Sequence, residues 1–468
     1  MSFELNALII SGKEVLPIIE GGKGIGISSG KSSGAFAAAS AVGTFSGVNA
    51  DSYDEKGQAK EILYHGKTRR DRHEELIAMG IEGGIAQAKI AHDISGDKGP
   101  IHVNVLWEMG GAQRILEGIL EGSKGLIHGV TCGAGMPYRL GEIAAKYQVY
   151  YYPIVSSMRA FRALWKRAYH SLALWLGGVV YEDPWLAGGH NGLSNSEDYK
   201  QPQDPYPRVV ELRKFMNEVG LQQVPVIMAG GVWHLKDWQH WLNTPEIGPV
   251  AFQFGTRPIL TQESPVPDSW KKRLLDLKEG DISLQRFSPT GFYSSAVNNQ
   301  FLLELEQRSH RQIKYSSVPV EIDNLVQTLL VGPRGRPVYI ATDDLIKVDF
   351  WKKQGFIEVM KTPDSTLIFV TPEKAQQIHK DQVDCMGCLS ACLFSNWQDH
   401  DGYNTGKKSD PRSFCIQKSL QSVIHQGDIE NELMFSGHNA YKFAQDQFYA
   451  NGFIPTVKQL VERIATGC

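Results

Sequence analysis

Cysteine is scarce in this chain, with six among 468 residues, and long apolar runs are missing. No stretch of about 18 consecutive apolar residues occurs, so the sequence predicts no membrane-spanning helix. The net charge of -3 is small, which excludes a general attraction to nucleic acid or to anionic lipid. The first residues, MSFELNALII, lack the basic n-region of a secretory signal. We therefore expect a cytoplasmic location.

Short apolar runs, many of them ending in glycine or a small polar residue, recur over residues 1–290. The runs are LPIIE (16–20), GTFSGV (43–48), IHVNVLW (101–107), GLIHGVTC (125–132), VYYYPIVSS (149–157), GVVYEDP (178–184), VPVIMAGG (224–231) and VAFQFGT (250–256). They are continuous rather than alternating, as in parallel strands that are buried on both faces. The segments between them have the apolar spacing of helices. Eight strand–helix units indicate an α/β fold, a (β/α)8 TIM barrel, although a doubly wound sheet shares the alternation.

Two parts of the chain depart from this rhythm. The stretch at about 50–98 is predicted to be an insertion after the second strand, and its charged piece KTRRDRHEE (67–75) is interpreted as a solvated helix face. The pattern changes after about residue 290. Residues 291–380 predict a small α/β region, and residues 381–468 predict a C-terminal region with a cysteine cluster and helices.

Three glycine-rich stretches invite comparison with phosphate-binding loops. In GIGISSGKSSG (24–34), neither Gly24 nor Gly26 leaves the four-residue spacing that a P-loop needs before Gly-Lys-Ser, so we reject an ATPase. MAGGVW (228–233) and FQFGTR (252–257) follow the seventh and eighth predicted strands. The loops after these strands of a barrel often bind phosphate, because glycine lets backbone N–H groups approach the phosphate oxygens.

Four segments resemble nitronate monooxygenases, and they are also similar to the flavin-dependent enoyl-ACP reductases of the same superfamily. In chain order they are LPIIEGGKGIGIS, VYEDPWLAGGHNG, VPVIMAGGVW and FQFGTRPILTQES. The resemblance covers residues 12 to about 275 and implies an FMN-binding TIM barrel, with His190 next to the flavin. It implies FMN contacts at Gly22, Lys23, Asn104, Gly188, Gly189, Gly230, Gly231, Gly255 and Thr256. The family often has methionine where this chain has Lys23, and a cation there would stabilise a reduced, anionic flavin.

Four of the cysteines form the pattern C-x2-C-x3-C-x22-C: Cys385, Cys388, Cys392 and Cys415. In a reducing cytosol, such a cluster indicates metal ligands or catalytic groups rather than disulfides. A short loop with one distant thiolate favours a [4Fe–4S] cluster, with zinc as the alternative. CMGCLSAC also resembles loops of dienoyl-CoA reductases and trimethylamine dehydrogenase, in which a cluster lies beside an FMN barrel but the fourth cysteine is closer. Cys132, at the end of a predicted strand, is interpreted as a buried core residue.

The predicted cofactors set the expected chemistry. The leading hypothesis is an FMN-dependent oxidoreductase that resembles nitronate monooxygenase and oxidises a nitronate-like or other carbanion-stabilised small molecule with oxygen. The alternative is a flavin and iron–sulfur reductase of an enoyl thioester or another activated double bond, including a nucleic-acid base. In both hypotheses His190 is the catalytic acid–base group, since imidazole titrates near neutrality.

The source of electrons and the partners are less defined by the sequence. No Rossmann domain for NAD(P)H is visible, so electrons would come from an electron-donor protein or from NAD(P)H bound directly at the flavin. A binding protein without chemistry, a nucleic-acid substrate held by the basic insertion and a homo-oligomer all remain open.

Overall fold

The computed structural model describes residues 5–52, 54, 59–242, 244–332, 334–400 and 402–467. In chain order the strands are β1 (Leu8–Ile10), β2 (Lys13–Val15), β3 (Ile18–Glu20), β4 (Gly43–Ser46), β5 (Ile101–Leu106), β6 (Gly129–Gly133), β7 (Tyr150–Val155), β8 (Val179–Glu182), β9 (Gly189–His190), β10 (Val226–Ala229), β11 (Val250–Phe254), β12 (Ile282–Gln285), β13 (Ser294–Val297), β14 (Gln312–Lys314), β15 (Leu325–Val331), β16 (Arg336–Ala341), β17 (Glu358–Lys361), β18 (Thr366–Val370), β19 (Ala391–Cys392) and β20 (Trp397–Gln398).

The helices alternate with the first group of strands and continue to the C-terminus. They are α1 (Gly30–Ala38), α2 (Arg69–Ser95), α3 (Ala112–Gly122), α4 (Leu140–Tyr147), α5 (Met158–Arg167), α6 (Pro205–Glu218), α7 (Asp268–Leu275), α8 (Gln300–His310), α9 (Asp344–Lys353), α10 (Pro372–Val383), α11 (Ile416–His425), α12 (Lys442–Gln445) and α13 (Val457–Thr466). Within the described parts of the chain, no helix has both the length and the apolar character needed to cross a membrane.

Eight parallel strands form the barrel, in the order β3-β11-β10-β8-β7-β6-β5-β4. The ring closes between β3 and the start of β4, where the N–H of Glu20 donates to the carbonyl of Val42 at 2.9 Å and the N–H of Val42 donates to Ile18 at 3.0 Å. Each of the eight apolar runs contains one of these strands to within one residue. The predicted TIM barrel is therefore confirmed.

The barrel interior is filled by apolar side chains. Its buried members are Ile10, Val15, Ile19, Val42, Tyr152, Val180, Ile227, Ala229 and Ala251. The first two belong to the hairpin β1–β2, which precedes β3 and packs against the interior. This leaves the carboxyl ends of the strands as the end of the barrel where a site can form.

Helix α2 is the connection between β4 and β5, and it occupies most of the predicted insertion. It begins with a capping box in which Thr68 accepts from the N–H of Asp71 and the Asp71 carboxylate accepts from the N–H of Thr68. Residues 53 and 55–58 of the predicted insertion lie outside the described residues. The helix packs against α1, where a Cβ at Gly34 would lie 2.7 Å from the carbonyl oxygen of Ala91.

The basic start of α2 faces the loop of residues 385–392. This loop holds Cys385, Cys388 and Cys392 and is called here the cysteine loop. Arg69 donates to the carbonyls of Ser395 at 2.9 Å and Gln382 at 2.7 Å. Arg72 donates to Cys385 at 3.1 Å and Val383 at 2.8 Å. The interpretation of this stretch as a solvated face is therefore wrong for these two arginines, because their guanidinium groups satisfy backbone carbonyls of the C-terminal region.

The chain beyond the barrel strands folds back over their carboxyl ends. Strand β13 pairs with β12 and with β9, and the last pairing joins Ser294 to His190 and Ser295 to Gly189. A further bridge joins Ala296 to Phe435. The small α/β region contains the sheet β14-β18-β17, the hairpin β15–β16 and helix α9. The C-terminal region is thus hydrogen-bonded to the segment that carries His190.

Candidate active site

One pocket opens at the carboxyl ends of the barrel strands. It is lined by every residue that the sequence predicts for FMN and catalysis: Gly22, Lys23, Asn104, Gly188, Gly189, His190, Gly230, Gly231, Gly255 and Thr256. Residues from the C-terminal region line it as well, among them Cys388 and Phe435. The structure therefore brings the predicted residues together and adds a wall that the barrel pattern does not predict.

Glycine is required at two places in this pocket. A Cβ at Gly22 would overlap the Cβ and Cγ of Asn104, so the loop after β3 passes directly over the end of β5. Gly230 and Gly231 follow β10 with φ of +87° and +75°, which a side chain would strain. The backbone in both loops can approach a ligand closely because no side chain stands in the way.

The segment of residues 435–439, called here the covering segment, lies against the loops after β8, β10 and β11. The N–H of Gly437 donates to Thr256 Oγ1 at 3.0 Å, and Asn439 Nδ2 donates to the carbonyl of Gly231 at 2.6 Å. A Cβ at Gly188 would lie 2.6 Å from the N of Gly437. Ser436 Oγ is buried, and none of the described residues forms a hydrogen bond with it. An unpartnered hydroxyl at this place suits a ligand with acceptor oxygens.

His190 lies on β9 at the wall of the pocket. Its Nε2 is 2.6 Å from Ser288 Oγ, and its ring centroid is 5.2 Å from that of Phe435. Burial lowers the pKa of the imidazole to about 4. The ring is therefore neutral at pH 7, so the expectation that it titrates near neutrality is wrong, because burial disfavours its charged form. In the neutral form it can donate a hydrogen bond to a carbonyl.

Lys23 and Glu20 form a buried pair at the edge of the pocket. Lys23 Nζ donates to the carbonyl of Gly21 at 2.6 Å and lies 3.5 Å from Glu20 Oε1. Burial raises the pKa of Glu20 and lowers that of Lys23, and their mutual attraction opposes both changes. Glu20 also accepts from Ser32 Oγ at 2.6 Å. This network fixes the position of Lys23 beside the pocket.

Two carboxyl groups in the pocket were not predicted from the sequence. Glu182 is the last residue of β8, and Glu108 follows β5. Burial raises the pKa of both, and for Glu182 burial and the neighbouring charge of Asp183 raise it to about 8. An acidic residue at the final position of a buried barrel strand was the available signal, since that position faces the site.

The pocket residues fit FMN. The loops after β10 and β11 offer exposed glycine backbone, and a Cβ at Gly255 would meet nothing within 4 Å, which leaves open space beside Thr256. Ser436 adds a free hydroxyl next to these loops. Backbone N–H groups and a hydroxyl are suitable partners for a phosphate, and Asn104 and Lys23 lie across the pocket for the ring system.

The four clustered cysteines lie between this pocket and the C-terminal helices. Burial raises the pKa of the Cys388 thiol, and nearby Cys415, Cys392 and Cys385 raise it further, so the four sulfur atoms lie near one another. Cys388 also accepts, through its carbonyl, the N–H of Gly110 at 2.9 Å. Among the described residues, however, no three His, Cys, Asp or Glu side chains are arranged to hold a metal ion. The thiols are thus gathered but do not form a preformed single-ion site.

Cys132 lies apart from this group. It is fully buried in the large core cluster around the barrel, and burial raises its thiol pKa well above the usual range. Its interpretation as a core residue is confirmed.

Comparisons with known proteins agree with this architecture. The nitronate monooxygenase family model matches residues 122–362. FabK from Thermotoga maritima is 15% identical with a TM-score of 0.50, and the match covers 96% of this chain and 91% of that chain. The enoyl reductase domain of MlnA, from the macrolactin biosynthesis cluster of Bacillus amyloliquefaciens, is 13% identical with a TM-score of 0.51 and coverage of 96% and 93%. Both likenesses establish a shared fold. A search of curated proteins gives no match.

Proposed function

Since this chain belongs to the nitronate monooxygenase family and is an FMN-dependent oxidoreductase, we propose that it reduces an activated carbon–carbon double bond of a small-molecule substrate, such as an enoyl thioester. The observation that supports this most is the position of Cys388 in the wall of the flavin pocket, at one edge of the four-thiol group. An oxidase takes electrons from its substrate and passes them to oxygen, so it needs no second redox group. A reductase needs a route by which electrons reach the flavin.

We infer that Cys385, Cys388, Cys392 and Cys415 hold a [4Fe–4S] cluster that supplies this route. A single zinc would bind four sulfur atoms at about 2.3 Å each, and they would then lie about 3.8 Å apart. A cubane binds each thiolate to a different iron, so a short loop with one distant thiolate can supply its four ligands. The C-x2-C-x3-C-x22-C spacing is therefore the argument for the cluster over zinc.

Bound reduced FMN would supply a hydride to one carbon of the double bond. The π bond would break, and the other carbon would take a proton that comes from solvent. The chain contributes orientation: neutral His190 would donate a hydrogen bond to the thioester carbonyl as negative charge develops on its oxygen. The covering segment, which includes Phe435, forms part of the pocket wall above the loops. The two electrons come from an electron-donor protein through the cluster, or from NAD(P)H at the flavin.

The full-length likeness to two structures gives this proposal independent support. Their printed names are FabK and an enoyl reductase domain, and each match includes the C-terminal region as well as the barrel. Oxidation of a nitronate-like substrate with oxygen is the second candidate. It is favoured by the family match and by Lys23, a fixed cation beside the pocket that suits an anionic substrate.

A half-reaction experiment separates the two candidates. Protein reduced with dithionite under argon is mixed with crotonyl-pantetheine, and the return of the flavin absorbance is followed by stopped flow. Oxidised protein is mixed anaerobically with propyl-2-nitronate in a parallel series. We expect the thioester to reoxidise the flavin. Rapid flavin reduction by the nitronate, together with no reaction of the thioester, would establish the second candidate instead.

The iron, sulfide and zinc content of the protein tests the cluster separately from the flavin. Anaerobically purified protein should contain about four iron and about four sulfide per chain. Zinc at one per chain without iron would overturn the cluster and leave the flavin assignment intact.

A further inference from the structure

Glu182 has an unusual place in the barrel. Val180, two residues earlier on β8, belongs to the apolar layer inside the barrel. Side chains alternate along a strand, so Glu182 points to the same inner side, one level closer to the carboxyl ends. Its neighbour across the sheet, Ala229, lines the pocket too. The carboxyl group therefore enters the floor of the FMN pocket.

No described residue forms a hydrogen bond or an ion pair with this carboxyl group. The adjacent Asp183 differs, because its Oδ1 accepts from the N–H groups of Trp185 and Leu186, each at 2.8 Å. Asp183 is thus a turn residue, whereas Glu182 has no structural function that its contacts reveal. Glu182 is only partly buried, and it lines the pocket instead of pairing with a described residue. A carboxyl group placed in a pocket without such a partner points to a function.

The charged or titratable groups near Glu182 are few. Asp183 is its neighbour in the chain, and Lys23, Glu108 and His190 share the pocket. Strand β10 brings Ala229 to this level, and Ser156 follows β7, so neither flanking strand adds a charge there. Lys23 is held by Glu20 and the carbonyl of Gly21, rather than by Glu182.

We propose that Glu182 is a redox-linked proton acceptor, which takes up a proton when FMN bound in this pocket is reduced. The inference rests on FMN binding in this pocket. Reduction by two electrons, supplied by the enzyme's reductant, would leave more negative charge on the flavin than before. The Glu182 carboxylate in the same pocket would then take a proton from solvent, so that one O–H bond forms and the added charge is balanced.

The sign of the expected pH effect follows from the carboxyl pKa of about 8 in the flavin-free protein. Below that pH, Glu182 is already protonated, and reduction adds no proton at this site. Above it, Glu182 is ionised in the oxidised protein and gains a proton on reduction. The flavin midpoint potential should therefore fall more steeply above about pH 8, by an additional 29.6 mV per pH unit for one proton and two electrons.

The test is a potentiometric titration of FMN-loaded protein between about pH 7 and 9.5, with Glu182→Gln and the matched control Glu108→Gln. In a plot of flavin midpoint potential against pH, the wild type and Glu108→Gln should show a steeper slope above about pH 8. Glu182→Gln should show a single slope over the whole range. A break that survives in Glu182→Gln, or a wild type with a single slope, would overturn the proposal.

Proton uptake measured directly in the wild type keeps the test independent of the variants. Indicator dye in weak buffer should report one more proton per FMN reduced at about pH 9 than at about pH 7. Equal uptake at both values refutes Glu182 as the acceptor and leaves FMN binding standing, whereas a wild type that cannot bind FMN refutes both.

Discussion

Replacing Gly22 with alanine tests whether the loop after β3 and the end of β5 together hold the flavin. The new Cβ would overlap Asn104 Cβ and Cγ and lie 2.9 Å from its Nδ2. Asn104 also accepts from Thr131 Oγ1 at 3.1 Å, so it cannot move without weakening that bond. Overpacking of this kind costs about 1–3 kcal/mol. If this free energy is lost from FMN binding and not from the stability of the fold, FMN binds about 5- to 150-fold more weakly.

Gly24→Ala is the matched control, because Gly24 lines the same pocket only two residues away. A Cβ there would lie 3.4 Å from Val48 Cβ, which is nearly ordinary contact. Quenching of FMN fluorescence gives Kd for each variant, and thermal unfolding without FMN shows how much of the cost the fold itself takes. Equal Kd values for Gly22→Ala and Gly24→Ala would refute the claim that the close approach of Gly22 to Asn104 shapes the flavin site.

Three further substitutions address the other parts of the site. His190→Asn should retain FMN yet slow the flavin half-reaction with the true substrate about a hundredfold in stopped flow; a wild-type rate would make His190 structural. Cys415→Ala should lose iron and sulfide by chemical analysis while Cys132→Ala keeps them, and iron retained in the former would contradict the ligand set. Ser436→Ala should weaken FMN binding about tenfold by fluorescence and should not lower the Tm of the FMN-free protein, since the hydroxyl has no partner there; an unchanged Kd removes Ser436 from the site.

The barrel could be predicted because its strands are buried on both faces. Parallel strands of this kind require continuous apolar runs, and the eight runs match the eight barrel strands. Loop glycines at the strand ends have equally local causes, and they indicated the phosphate loops after β10 and β11. The individual flavin contacts and the place of His190 were implied by the resemblance to nitronate monooxygenases.

The wall formed by the C-terminal region has no such local signal. The pairing of His190 with Ser294 and the contact of Gly437 with Thr256 join segments that are far apart in the chain. Nothing in the stretch MFSGHNA (434–440), or in the glycine-rich loops of the barrel, indicates which distant segment it contacts in the fold. Glu182 was overlooked for another reason: at the end of an apolar run, a carboxyl resembles the ordinary polar boundary of a strand. Its place as the last residue of a buried barrel strand was the available signal, and the register of β8 shows that it faces the pocket.

The arginines of α2 explain how two parts of the fold act as one site. Arg69 and Arg72 together donate to four carbonyls of the cysteine loop and its flanks. His73 adds a contact with Asp399, with Nε2 and Oδ1 separated by 3.2 Å. These bonds tie the loop to a helix of the barrel wall, close to where Gly110 holds Cys388. If the four cysteines hold the proposed cluster, electron transfer would need a fixed separation between it and the flavin, and a loop tied at several points to the barrel would provide one.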